Sequence, residues 1–179
     1  MEKLKQAIFF DRDGVLINAP VICGKPKSIQ TIKELKFCPE IIKICKYYKK
    51  YFYLIMVTNQ PDFTRKVNTK KNINEINSYI KKKLNLDDVY TCYSDNDKDK
   101  DRKPNIGMLQ KAKKKYQINF KKSYIVGDRW RDIGAGNKAN CSSILIDRKY
   151  NEKMIFKPKH KINRLSKIYS IIKFDSKIK

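Results

Sequence analysis

Four short polar motifs, spread from one end of this chain to the other, each close an apolar run, and the first of them sets the pattern. Ala7 to Phe10 reads as a buried strand and runs directly into Asp11-Arg12-Asp13-Gly14. Asp-Gly is a turn dipeptide, so both carboxylates fall where the strand ends and the chain bends. Alone, an Asp-x-Asp pair is equally compatible with a solvated turn. The other three segments are Val57-Thr58-Asn59-Gln60, Arg102-Lys103-Pro104 and Val126-Gly127-Asp128-Arg129-Trp130-Arg131-Asp132. In open α/β sheets the strand ends are where ligands bind, which directs attention to all four.

Between the motifs the chain alternates strand and helix patterns. Ile17 to Phe37 contains Pro20, Gly24 and Pro26 without a clear period and reads as a loop. Pro39 is placed to open a helix at its first turn, with Ile41, Ile42, Cys45 and Tyr48 on one side. Tyr51 to Val57 is a continuous β-branched and aromatic run, expected as a buried strand. Thr69 can cap a helix whose apolar face is Ile73, Ile76, Ile80 and Leu84. A strand at Val89 to Cys92 leads through the polar loop Ser94 to Lys100 into a helix carrying Ile106, Leu109, Ala112 and Tyr116. Ser123 to Val126 and Ser143 to Ile146 read as strands, with a helix from Ile133 to Ala139 between them. Beyond Arg148 a basic segment offers a strand near Ile162 and a helix around Ile168 to Ile172, both expected to pack on the core. This alternation predicts an α/β fold of three layers, a mostly parallel sheet with helices on both faces. Right-handed crossovers would bring the four motifs to one rim.

At 179 residues and 41% apolar content, one domain with one core is expected. No apolar run approaches the ~20 residues needed to span a bilayer, and no signal-type stretch precedes the first strand, so a cytoplasmic location without membrane association is expected. Cys23, Cys38, Cys45, Cys92 and Cys141 form no CxxC pair and read as reduced thiols. The only histidine, His160, lies far from the motifs, which disfavours imidazole chemistry. The net charge of +24 suggests nucleic acid, but only seven of the 42 basic residues are arginine, and the lysines are dispersed as in a solvated surface. A nucleic-acid partner is therefore not expected. Arg12, Arg65, Arg102, Arg129 and Arg131 do lie in or beside the motifs, where a guanidinium fork suits phosphate.

Hydrolysis of a phosphate ester needs a nucleophile, a proton donor for the leaving oxygen and positive charge around the transferring group. One carboxylate can serve as nucleophile and the second as acid and base. Two anions approach a phosphate only with a cation, and carboxylate oxygens suit Mg²⁺, for which Asp128 is a natural further ligand. Lys103 and Thr58 can bind the non-bridging oxygens.

FFDRDGVL, VTNQP, RKPNIGML and VGDRWRDIGAG resemble the haloacid dehalogenase superfamily of aspartate-nucleophile phosphatases, subclass III. They are most similar to the branch of heptose bisphosphate 7-phosphatases and histidinol-phosphatases, over the core from Ala7 to Ile146. The resemblance implies Asp11 as nucleophile, Asp13 as acid and base, and Thr58 and Lys103 as phosphate ligands. It implies Mg²⁺ held by Asp11, the Asp13 main-chain carbonyl and Asp128, with Asp132 in support. Asp132 reads as readily as a first-turn acid favoured by the helix dipole. Asn59, Arg65, Arg102 and Arg129 fall where relatives bind the rest of the substrate, whereas Arg131 reads as an exposed helix residue. The intervals between motifs leave no room for a cap domain. Many relatives hold zinc through Cys-x-His and Cys-x-Cys pairs; the corresponding positions here are Cys92, Ser94, Asp99 and Asp101, a poor tetrahedral set. No structural zinc is expected, and the sequence leaves open whether the loop 93–101 is ordered. Together these features predict a monomeric phosphatase of a small metabolite, a heptose or related sugar (bis)phosphate. Histidinol phosphate, a polynucleotide 3′-phosphate and a non-catalytic basic binding protein are the alternatives.

Overall fold

The computed structural model describes residues 5–172. Strand β1 (Ala7–Phe10) is followed by a small hairpin, β2 (Val21–Ile22) and β3 (Lys25–Pro26), and then by α1 (Ile41–Tyr48) and β4 (Tyr53–Asn59). Next come α2 (Lys70–Leu84), β5 (Asp88–Cys92), α3 (Gly107–Tyr116), β6 (Tyr124–Gly127), α4 (Trp130–Lys138) and β7 (Ser142–Ile146). The chain closes with β8 (His160–Ile162) and the short α5 (Ile168–Ile171). Six strands form one sheet in the order β5-β4-β1-β6-β7-β8, and every pairing in it is parallel.

The side-chain alternation of β1 and β4 assigns helices to the two faces. Ile8, Phe10, Leu54 and Met56 join α1, α2 and α5 in one core cluster; Ala7, Phe9, Ile55 and Val57 join α3 and α4 in the other. A strand buried on both faces must be apolar throughout, and β1 is. Because β1 sits between β4 and β6, the strand order reverses there and leaves a crevice at the strand ends. Phe10 lies opposite Met56 and Val126, so the motifs that follow these residues emerge side by side.

Thr69 caps α2 as its position predicts, accepting from the Asn72 amide at 3.1 Å, and Ile73, Ile76, Ile80 and Leu84 are its buried apolar residues. At α1 the outcome differs. Glu40, with φ +67°, is the cap; Pro39 precedes it, and the buried face is Ile41, Ile44, Cys45 and Tyr48, leaving Ile42 exposed. Starting the helix two residues after the proline rotates its inner stripe. The segment expected as a plain loop after β1 instead carries the β2 and β3 hairpin and a 3₁₀ turn at Ile32–Glu34. These strands are only two residues each, too short for a periodic signal.

The basic tail supplies β8 as an edge strand, and Ile162, Leu165, Ile168 and Ile172 enter the core. Its remaining part, residues 173–179, lies outside the described residues. Among the described residues the intervals between motifs contain no cap domain. All five cysteines are free thiols, and only Cys23 is exposed. No described helix is long and apolar enough to cross a membrane.

Candidate active site

Lys103 is the hub of the strand-end crevice. It is 1% exposed, and its ammonium donates to Asp11 Oδ1 at 2.8 Å, Asp132 Oδ1 at 2.6 Å and the Val57 carbonyl at 2.7 Å. One side chain thus ties together β1, β4 and α4. Burial pulls an ammonium towards the neutral form, but Asp11 and Asp132 more than offset it and hold Lys103 protonated, above the ordinary lysine value. Asn59 fixes the Lys103 backbone, accepting from its N–H and donating to its carbonyl, both at 3.1 Å.

Burial raises the Asp11 carboxyl to about 6, against the opposing attraction of Lys103, while Asp132 and Asp13 add to the rise. Asp128 is also raised well above the usual carboxylate range, first by desolvation and then by Asp11 and Asp132. Asp11, Asp128 and Asp132 each bring an oxygen within 4.8 Å of the others'. Tyr150 donates to Asp128 Oδ2 at 2.7 Å, and Asp128 Oδ1 is buried without a hydrogen-bond partner. Two of the three clustered carboxylates share the Lys103 ammonium, and one oxygen of the third, Asp128, is orphaned. A divalent cation with oxygen ligands fits both the charge deficit and that atom. Asp132 is a first-turn acid of α4, Oδ2 accepting from the Arg129 amide at 3.1 Å, while its Oδ1 meets Lys103.

Asp13 faces a different set of donors. Arg12, Gln60 and Ser28 all reach its carboxylate, Gln60 Nε2 at 2.9 Å and Ser28 Oγ at 3.0 Å. The same Gln60 amide donates to Thr58 Oγ1 at 2.8 Å, so it spaces Asp13 from Thr58, which is itself fully buried. Arg12 does not enter the crevice as its place in the motif suggests. It is wholly buried and reaches Asn77 of α2 and Gln60 as well as Asp13. A charged side chain at the end of a buried strand must find partners inside, and a carboxylate and two amides supply them.

Asp11, Asp13, Asn59, Lys103 and Asp132 line the crevice; Lys25, Lys27, Arg65, Arg102, Arg129 and Arg131 crowd around its mouth. Arg65 is half exposed and pairs with Asp95 at 3.7 Å, and Arg129 pairs with Glu152. Arg131, expected on an exposed helix face, is instead partly buried, stacked 4.3 Å over the Trp130 ring and bonded to Asp97 at 2.8 Å. Arg102 meets the same Asp97 at 2.9 Å, and the two guanidiniums hold that carboxyl down to about 2. The loop before Arg102, whose order the sequence leaves open, is tied down by these contacts. Asp97 clamps it to α4, Asn105 donates to the Asp97 and Asp99 carbonyls, and Asp101 meets Lys111.

Sequence reasoning missed Gln60, Tyr150, Glu152 and the hairpin lysines Lys25 and Lys27. Gln60 had a signal, since it continues the second motif. The others sit on irregular segments or, for Lys25, on a two-residue strand, and reach the site only through tertiary structure.

The family model described as Polynucleotide kinase 3 phosphatase matches residues 6–168. A D-glycero-alpha-D-manno-heptose-1,7-bisphosphate 7-phosphatase from Campylobacter jejuni is 30% identical over 147 residues, covering 79% of this chain and 81% of that protein. A D-glycero-beta-D-manno-heptose-1,7-bisphosphate 7-phosphatase from Helicobacter pylori is 28% identical over 150 residues, covering 79% and 83% respectively. Among solved structures, the D,D-heptose 1.7-bisphosphate phosphatase of B. bronchiseptica, complexed with magnesium and phosphate, superposes with a TM-score of 0.77 at 19% identity. That match covers 93% of this chain and 97% of the other. With the parallel sheet, the four converging motifs and these likenesses in place, the chain belongs to the polynucleotide kinase 3 phosphatase family and is a phosphatase of the haloacid dehalogenase fold.

Proposed function

We propose that this phosphatase hydrolyses a small sugar bisphosphate, a heptose 1,7-bisphosphate or close analogue, through an aspartyl-phosphate on Asp11, within a single capless domain. The observation that carries the chemistry is the Lys103 hub, which gathers Asp11 and Asp132 beside Asp128 at the strand ends. Lys103 orients the Asp11 carboxylate for attack on phosphorus and, with Thr58, neutralises or hydrogen-bonds the non-bridging oxygens. Asp13, outside the Lys103 cluster, gives a proton to the departing sugar oxygen. It then takes one from the water that hydrolyses the acyl phosphate, freeing Asp11 and inorganic phosphate.

Asp11 and the orphaned Asp128 oxygen would hold Mg²⁺, with Asp132 supporting through Lys103 and the α4 cap. The metal supplies charge neutralisation between the nucleophile and the phosphate. The resemblance adds the Asp13 main-chain carbonyl to this set. For structural zinc the surroundings are poor: Asp101 is engaged by Lys111, and Asp99 accepts from the Asp101 amide at 2.9 Å.

Support for a bisphosphate comes from the mouth of the crevice. Lys25 and Lys27 from the hairpin, with Arg65 and Arg129, set positive charge beyond the reacting centre, where a second phosphate would be attracted. Phosphate release from heptose 1,7-bisphosphate, histidinol phosphate and a 3′-phosphorylated oligonucleotide, each with Mg²⁺ and then with EDTA, tests this reading. EDTA-sensitive turnover favouring the heptose is expected. Preference for the oligonucleotide would move the substrate to nucleic acid, and silence across the panel with metal bound would overturn the assignment.

The role of Asp13 has its own test. Asp13→Asn is expected to slow hydrolysis of an alkyl phosphate by about 10²–10⁴-fold. It should slow p-nitrophenyl phosphate far less, because that leaving group departs without a proton. An equal loss on both substrates would remove Asp13 from the proton-donor role.

A further inference from the structure

Shortly after β7 the segment Arg148 to Glu152, outside all four motifs, is fastened beside the strand ends like a strap. Its fastenings land on the turn after β1, on the hairpin and on the segment that runs from β6 into α4. Arg148 Nε and its terminal nitrogen donate to the Gly14 carbonyl at 3.0 and 2.9 Å. The Tyr150 hydroxyl donates to Asp128 Oδ2 at 2.7 Å. The Asn151 amide donates to the Gly24 carbonyl of the hairpin at 2.8 Å. Glu152 accepts from Arg129 Nε and from the Trp130 indole, both at 3.0 Å.

Gly14 shows how tightly the central fastening is fitted. Its φ is +78°, and a Cβ built there would lie 1.9 Å from Asp128 Oδ2 and 2.8 Å from the Tyr150 hydroxyl. Only a residue without a side chain leaves space for the pair. With Oδ2 held by the phenol, Oδ1 is the oxygen of Asp128 left buried and unpartnered, in a carboxylate that clusters with those of Asp11 and Asp132.

We infer that Tyr150 is a positioning residue for the cation site: it holds the Asp128 carboxylate in the rotation that presents Oδ1 to the metal. This rests on the reading above that Asp128 holds Mg²⁺. A carboxylate free to rotate presents either oxygen and loses orientation entropy on binding. One already fixed by a donor to its far oxygen does not, and removing such a donor typically weakens metal binding about 10–100-fold. Tyr150 itself is held by the strap's ends, Arg148 on one side and Asn151 and Glu152 on the other, so its hydroxyl has a defined location.

The test is Tyr150→Phe, which keeps the ring and its packing and deletes only the donor. Magnesium chloride is titrated into the metal-free full-length proteins, followed by calorimetry and by fluorescence of Trp130, the single tryptophan. A shift of the binding midpoint to about 10–100-fold higher magnesium is expected, with a turnover deficit that shrinks as magnesium is raised. A merely structural role for the hydroxyl would lower the melting temperature without moving the midpoint. A midpoint within twofold of the parent's overturns the inference and leaves the magnesium reading intact. If the parent itself binds no magnesium, the magnesium reading fails and the inference with it.

Discussion

Asp11→Asn is expected to abolish turnover while making the metal-free protein more stable at neutral pH. Loss of a covalent nucleophile removes the whole two-step route, and a fall on the order of 10⁴-fold or more is the scale seen when such a group is deleted. The stability gain follows from the carboxyl's position. Burial raises the Asp11 carboxyl from its ordinary value of 3.8 to about 6 in the folded protein, so its charged form is less favourable there than in the unfolded chain. A group of this sign contributes its stability below the unfolded value, and that contribution is lost as pH rises through the folded one. Between about pH 4 and 7 the parent should therefore lose up to roughly 3 kcal/mol that the amide variant retains. Melting temperatures in EDTA across that range check it. The variant should melt higher above pH 6, the gap should close near pH 4, and a variant that melts lower throughout contradicts the account.

Lys103→Met reverses the balance. The substitution removes the one ammonium that Asp11 and Asp132 share, and it leaves two buried carboxylates facing each other and Asp128. Breaking a buried pair by removing one partner costs about 3–5 kcal/mol. For a chain of this length that corresponds to a fall in melting temperature on the order of 10 °C in EDTA. Magnesium should recover part of the loss, since it replaces some of the missing positive charge. Turnover should stay low even at saturating metal, because the orientation of Asp11 and the contact to the transferring oxygens are both gone. Differential scanning calorimetry with and without magnesium, paired with phosphate release, separates the two effects.

What could be read from the sequence was set by the parallel sheet. Once strands alternate with helices, every strand end points to one rim, so Asp11, Thr58 and Asp128 had to converge, and Lys103 came with the motif that joins them. Residues on that framework were legible because their position follows from chain direction alone. Arg12 stood in the same motif and was misplaced, because its direction depends on Asn77 of α2, a partner that no local pattern reveals. Arg131 looked exposed by helical position, yet Asp97 on a distant loop draws it over Trp130. The hairpin lysines and Tyr150 lie on segments with neither period nor motif, and only the docking of those segments on the strand ends brings them to the site.

The strap's place in the chain bears on how the enzyme comes into being during synthesis. Asp11 leaves the ribosome long before the hydroxyl that we infer orients Asp128, which arrives only with Tyr150, after five of the six sheet strands have been made. Domains fold as units, so the pocket around Asp128 waits for the strap to leave the ribosome although most of the sheet has been made by then. Full competence of the metal pocket is thus expected late in biogenesis, and a truncation just before Arg148 would remove the strap together with β8 and the tail's share of the core.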